Sequence, residues 1–163
     1  MDINEIYRKE MKIAEEIYGS QSDPDQIPIT EESLQKLLSL SPDTIPFVLD
    51  DKGEPISWLV VIPCDNENTD KFLKEEITER EFFNNLKPAS HYDALYISSA
   101  ITVPAHRRKG LAGRLIVETI DLFKHKYGVK RIFAWPWSRE GGAAMEKLKS
   151  KYDIELRRAL DRI

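Results

Sequence analysis

A chain of 163 residues with 28 acidic and 24 basic side chains carries a formal net charge of −4. That balance argues against a general nucleic-acid binder, which needs a broad excess of Lys and Arg. The length suits one core and a single domain over residues 1–163, and 41% hydrophobic with 32% charged residues suits a globular chain. The lone cysteine, Cys64, has no partner for an internal disulfide, the N-terminal residues lack the pattern of an export signal, and no apolar run approaches the roughly 18 residues of a membrane span. A cytoplasmic protein with no membrane and no nucleic-acid partner is expected.

Residues 3–18 place Ile3, Ile6, Tyr7, Met11, Ala14, Ile17 and Tyr18 at three- and four-residue intervals, the apolar stripe of a helix that Gly19 ends. Gln21 to Pro28 reads as a loop. Thr30 then caps a short helix carrying Leu34, Leu37, Leu38 and Leu40, which Pro42 stops, so the N-terminal helices occupy residues 1–45. Phe47-Val48-Leu49 and Ile56 to Ile62 are β-prone runs joined by Asp50-Asp51-Lys52-Gly53-Glu54, a hairpin whose glycine supplies positive φ. Residues 65–91 are polar and helix-prone, with a capping box at Thr78 and Glu81, and read as a helical insertion between strands.

Ala94 to Val103 is rich in β-branched residues and is expected to form a central strand. Leu111, Leu115, Ile116, Ile120 and Phe123 define one face of a helix from Leu111 to Tyr127, which Gly128 terminates. A strand over Arg131 to Trp137, a helix over Glu140 to Ser150 and a last strand over Ile154 to Arg157 follow. The order strand, helix, strand implies parallel neighbours joined by a crossover.

Between the central strand and its helix lies His106-Arg107-Arg108-Lys109-Gly110-Leu111-Ala112-Gly113. Small residues at a helix N-terminus let backbone N–H groups approach an anion, the helix dipole favours negative charge there, and several cations stand beside it. A diphosphate fits this convergence better than a carboxylate. The spacing is neither the Walker pattern nor Gly-x-Gly-x-x-Gly, so a triphosphate or dinucleotide site is poorly supported.

These residues resemble the signature of the GNAT N-acetyltransferases: Gln or Arg, two residues, Gly, one residue, then Gly or Ala, met by Arg107, Gly110 and Ala112. The resemblance implies an α/β (α+β) fold with a mixed, strongly twisted central sheet flanked by helices, and acetyl-CoA as cofactor. It implies that Ile101, Thr102 and Val103 pair with the pantetheine arm while Arg107, Arg108, Lys109, Gly110, Leu111, Ala112 and Gly113 hold the pyrophosphate. The acceptor would be a small-molecule or peptide amine attacking the thioester directly.

Many members of that family carry a Tyr that protonates the departing thiolate, in Tyr-Glu-Lys-Leu, after a strand that leads to an Asn. Met145-Glu146-Lys147-Leu148 puts a methionine at the Tyr position and Ser138 at the Asn position, and methionine is no general acid. Tyr152 and Ser138 are the candidates to replace that acid, against ordinary roles in packing and helix capping. Tyr96, close to where some relatives carry a catalytic Glu, is the candidate general base, against packing in its strand. Trp135-Pro136-Trp137 fits a strand that splays from its neighbour, and Cys64 reads as an inert buried thiol. After the last helix the chain has room for one strand where the family usually adds two. The gap would be left open, filled by residues 65–91, or filled by a partner subunit in a homodimer. The alternative to an enzyme is a CoA-binding sensor or interaction module that has lost its acid.

Overall fold

The computed structural model describes residues 2–18, 24–136 and 145–158. Its first helix, α1 (Ile3–Tyr18), lays Ile6 and Tyr7 into the interior and leaves Glu5 and Arg8 in solvent. Helix α2 (Glu31–Leu40) starts where Thr30 Oγ1 accepts the Ser33 N–H and buries Leu34, Leu37 and Leu40. The hairpin follows as β1 (Phe47–Leu49) and β2 (Pro55–Cys64), with Gly53 at φ 80° in its turn. The second strand is longer than its β-prone run suggested.

The insertion folds as two helices, α3 (Asn66–Leu73) and α4 (Glu79–Asn85), and the capping box at Thr78 and Glu81 is formed in both directions. The central strand β3 (Ala94–Thr102) leads through a 3-10 turn at Pro104–His106 into α5 (Leu111–Tyr127). Gly128 closes that helix at φ 75° and donates to Lys124 O, as a left-handed C-cap does. Strands β4 (Arg131–Ala134) and β5 (Ile154–Leu156) complete a sheet ordered β1-β2-β3-β4-β5. The first three strands are antiparallel; β3, β4 and β5 are parallel.

Strand β4 stops at Ala134, short of the expected Trp137, because Pro136 has no N–H to contribute to a ladder. The expected helix over Glu140 to Ser150 is seen only from Met145, where residues 145–148 are helical; Trp137 and Ser138 lie outside the described residues.

Strand alternation sorts the core onto the two faces of the sheet. On one face, Trp58, Ile62, Tyr96, Ile101, Phe133 and Trp135 pack under the four N-terminal and inserted helices. On the other, Leu59, Val61, Leu95, Ile97 and Ile132 pack under Leu115, Ile116, Ile120 and Phe123 of α5. The insertion seals the β4–β5 end of the sheet: Phe72 and Phe82 are fully buried there, with ring centroids 5.1 and 5.6 Å from Tyr96. Arg131 ties it down through Asp70 Oδ1 and Asn66 Oδ1 while also gripping Glu155, and Arg157 Nη1 donates to Ile77 O.

Candidate active site

Two departures from regular pairing open the middle of the sheet. Opposite β2 the register runs Val60 to Ser99 and Val61 to Ile97, so Ser98 is an extra residue, a β-bulge that bends β3. Opposite β4 the pairing covers only Ala94 to Ile97, ending at Ala134. From Ser98 to Thr102, β3 therefore has a partner on one side only among the described residues. Val103 N donates to Ile56 O on the β2 side. By strand alternation, Ala100 and Thr102 turn their peptide groups to the open side, and Thr102 O accepts from Arg107 Nε at 3.1 Å.

The loop after β3 is built to present amides. Arg108 takes φ 66° and Gly110 φ 74°, with Lys109 between them at negative φ, the alternation that folds successive N–H groups into a concave nest. The first helical acceptor serves Arg114, whose N–H bonds Gly110 O. The amides of Leu111, Ala112 and Gly113 thus have no acceptor among the described residues, as expected of a first turn with no side-chain cap. A methyl group added at Gly110 or Gly113 would touch nothing within 4 Å, so the nest faces open space. Arg107, Arg108 and Lys109 are exposed around it; Arg107 is drawn back to the strand end, and Lys109 Nζ lies 3.3 Å from His106 Nδ1. Free amides, a helix N-terminus and exposed cations fit the diphosphate of a CoA-type ligand, and the open β3 edge runs straight into them.

Of the three candidates for proton transfer, the two that are described, Tyr96 and Tyr152, do not converge there. Tyr96 is fully buried, stacked on Phe133 with centroids 5.0 Å and planes 11° apart, and its hydroxyl donates to Glu79 Oε2 at 2.5 Å. Burial, then the neighbouring Glu79, holds that phenol well above its usual range. Tyr152 is buried beneath α5, where its hydroxyl donates to Asp121 Oδ1 at 3.1 Å and burial raises its pKa. Asp121 lies ten residues past Leu111, about 15 Å along the helix from the loop at 1.5 Å per residue. Ser138 is outside the described residues. Met145, at the position where a Tyr is usual, is buried in the apolar cluster beneath α5. Cys64 is buried too, its sulfur 3.3 Å from Thr69 Oγ1, and burial pushes the thiol up, so it is no nucleophile.

Two buried acids were not singled out by sequence. Glu79 accepts from Ile27 N as well as from Tyr96 and anchors α4 to the residues before α2. Glu10, on the sheet-facing stripe of α1, is 3% exposed, and neither of its carboxylate oxygens has a hydrogen-bond partner among the described residues. Burial raises its pKa from 4.5 to about 8. A polar residue at the three- and four-residue spacing from Ile6, Tyr7, Ile13 and Ala14 was the signal available for it.

No helix among the described residues is long and apolar enough to cross a membrane. No curated protein matches the sequence. Among solved structures, the chain is similar to Naa20 of Chaetomium thermophilum, described in complex with a bisubstrate analogue. That match has 12% identity and a TM-score of 0.52, and covers 78% of this chain and 60% of Naa20, so the chain spans less than two thirds of that relative. It is also similar to the aminoglycoside acetyltransferase meta-AAC0020 from an uncultured soil metagenomic sample, in complex with trehalose, at 18% identity and a TM-score of 0.50 over 92% of this chain and 82% of that one. At such identities the likeness speaks for the fold. The model of the acetyltransferase (GNAT) family matches residues 3–146, from α1 through the nest at the start of α5 and past β4. With most of the chain under that match, and a mixed sheet that opens beside an amide nest, the chain belongs to the GNAT acetyltransferase family.

Proposed function

We propose that the chain transfers an acetyl group from acetyl-CoA to a primary amine. The observation that carries this reading is the nest at Arg108 to Gly113, with unbonded amides at the head of α5 and an unpaired strand edge leading into it. Residues Arg107 to Gly113 would hold the pyrophosphate by amide N–H groups and cations, and Ile101 to Val103 would line the pantetheine arm. Bound there, acetyl-CoA supplies an acyl carbon open to direct attack by an amine nitrogen. The chain's own part is to bind and orient: the strand edge offers N–H groups that polarise an acyl oxygen, and a shared cleft holds both reactants together. In this reading Tyr96 keeps α4 on the sheet, and proximity bears more of the rate than a dedicated acid does. The acceptor is a small-molecule or peptide amine, and the setting is the cytoplasm, where a lone cysteine needs no disulfide partner.

Isothermal titration with acetyl-CoA tests the reading. The intact protein should bind at micromolar Kd, and the Arg108→Ala, Lys109→Ala double variant at least tenfold more weakly, since hydrogen bonds from charged groups are worth about 1.5–3 kcal/mol each. A folded chain that bound neither acetyl-CoA nor CoA would refute it. The burial of Met145 in an apolar cluster favours a second reading, a CoA-binding module without turnover. Binding without thiol release across amine substrates would support that one instead.

A further inference from the structure

We propose that Arg157 selects the acceptor by an anionic end: its guanidinium binds a carboxylate carried by the amine, so the substrate class is small carboxylate-bearing amines. The assignment rests on the acyl-transfer reading above.

The position joins Arg157 to the opened sheet by direct contacts. Strands β3, β4 and β5 are parallel, and ligands of such sheets gather outside the C-terminal ends of the strands. Arg157 stands at that end, one residue past β5. Its N–H bonds Ala134 O at 2.9 Å, and Ala134 is the last residue of β4 to pair with β3, opposite Ile97. The next residue of β3, Ser98, begins the open stretch, and its side chain stands beside the Tyr96 hydroxyl, which in turn acts on the Arg157 guanidinium. The next residue of β4, Trp135, stacks against Arg157, with Cζ 4.5 Å from its ring centroid. One residue of each strand therefore separates the guanidinium from the gap between them.

The side chain is held ready and left incomplete. Phe72 and Trp135 flank the guanidinium at 4.4 and 4.5 Å, and Nη1 donates to Ile77 O at 2.9 Å. A planar fork fixed in this way loses little further freedom when it binds. Nε is buried without an acceptor, and Nη2 has none among the described residues either. The nearby acids are engaged elsewhere: Glu75 pairs with Arg158 Nη2 at 3.3 Å, and Glu79 accepts from Tyr96 and Ile27 N. Arg157 itself is half-buried, and burial pulls its pKa below the usual range, so the charge is kept at a cost.

Arg131, at the opposite end of β4, shows what completes such a fork. Its Nε and Nη2 grip the two oxygens of Glu155, each at 2.9 Å. The same two nitrogens are left over on Arg157, and a carboxylate has the two oxygens that match them. The ligand would enter at Nη2, and a shift of the flexible stem would bring Nε onto the second oxygen. With Glu75 and Glu79 close by, a single negative charge fits better than a doubly charged phosphate.

The test is calorimetric titration, at pH 7, of the protein saturated with CoA. The probes are glycine, β-alanine, 4-aminobutyrate and L-glutamate, each against its partner without that carboxylate: glycinamide, β-alaninamide, 4-aminobutyramide and L-glutamine. The wild-type chain should bind at least one carboxylate at least tenfold more tightly than its amide. Arg157→Met keeps an apolar stem between the two rings; it should reduce that preference to within twofold of unity while CoA affinity stays within twofold. Should Arg157→Met fail to fold, Arg157→Lys takes its place, and the preference should fall at least threefold, because an ammonium lacks the planar fork. A wild-type chain that binds none of the carboxylates or does not prefer them, or a preference that survives either substitution unchanged, would overturn the assignment. Repeating the titrations without CoA separates the two claims. A folded chain that binds neither CoA nor acetyl-CoA yet keeps an Arg157-dependent preference would sink the acyl-transfer reading and leave the carboxylate site standing.

Discussion

Replacing Tyr96 by Phe keeps the ring stacked on Phe133 and removes only the hydroxyl that donates to Glu79 at 2.5 Å. The bond lies in a fully buried setting between Phe72 and Phe82, and its acceptor is a buried acid. Hydrogen bonds to charged groups contribute about 1.5–3 kcal/mol, and this one is shielded from water. We therefore expect Tyr96→Phe to lose about 2–3 kcal/mol, which for a chain of this size is a Tm lower by about 4–12 °C. Urea unfolding followed by tryptophan fluorescence would measure it, with an unchanged slope against urea showing that only stability moved. A double-mutant cycle with Glu79→Gln should give a coupling of about 1 kcal/mol or more. A loss under about 0.5 kcal/mol, or additive effects of the two substitutions, would refute the view that this pair fastens the insertion to the sheet.

Glu10 gives a stability prediction with a definite sign. Its folded pKa lies above the unfolded value, so the folded chain keeps a proton that the unfolded chain gives up between 4.5 and about 8. Stability should fall with rising pH through that window, by about 1.4 kcal/mol per pH unit and about 5 kcal/mol by pH 9. Glu10→Gln should be flatter by that amount in urea melts taken from pH 4 to pH 9, and parallel curves would contradict the burial of Glu10. Gly110→Ala meets no atom but must hold φ 74°, so it should cost about 1–2 kcal/mol by thermal melts; a stabilised variant would show that the left-handed turn is not held. Thr78→Ala breaks the capping box of α4 and should cost about 1 kcal/mol by chemical denaturation; no change would mean that α4 is held by tertiary packing alone.

What could be read from the residues was local. The loop from Arg107 to Gly113 declared itself because strand, basic residues, glycines and amphipathic helix are consecutive, and the capping box because both its members lie within four residues. Tyr96 was placed on the right strand, but its surroundings depend on where α3 and α4 fold back, some 20 residues away in sequence, so its bond to Glu79 was not legible. Glu10 was passed over because a glutamate on a helix is ordinarily solvated; only the packing of α1 over β2 shows it to be enclosed. The early end of β4 follows from Pro136, a residue visible from the start whose effect on length needed the neighbouring β3 to be seen.

The split between β3 and β4 also bears on how the chain avoids sticking to itself. Unpaired strand edges ordinarily invite another chain to add a strand, and proteins protect them with charge, proline or short length. Here the free stretch from Ser98 to Thr102 lies inside the sheet, bent by the bulge at Ser98 and facing a strand that Pro136 cuts off. An invading strand would have to lie flat along an edge that is neither straight nor on the rim, whereas a slender extended ligand would not. The same backbone groups can thus remain open to a small molecule and closed to aggregation.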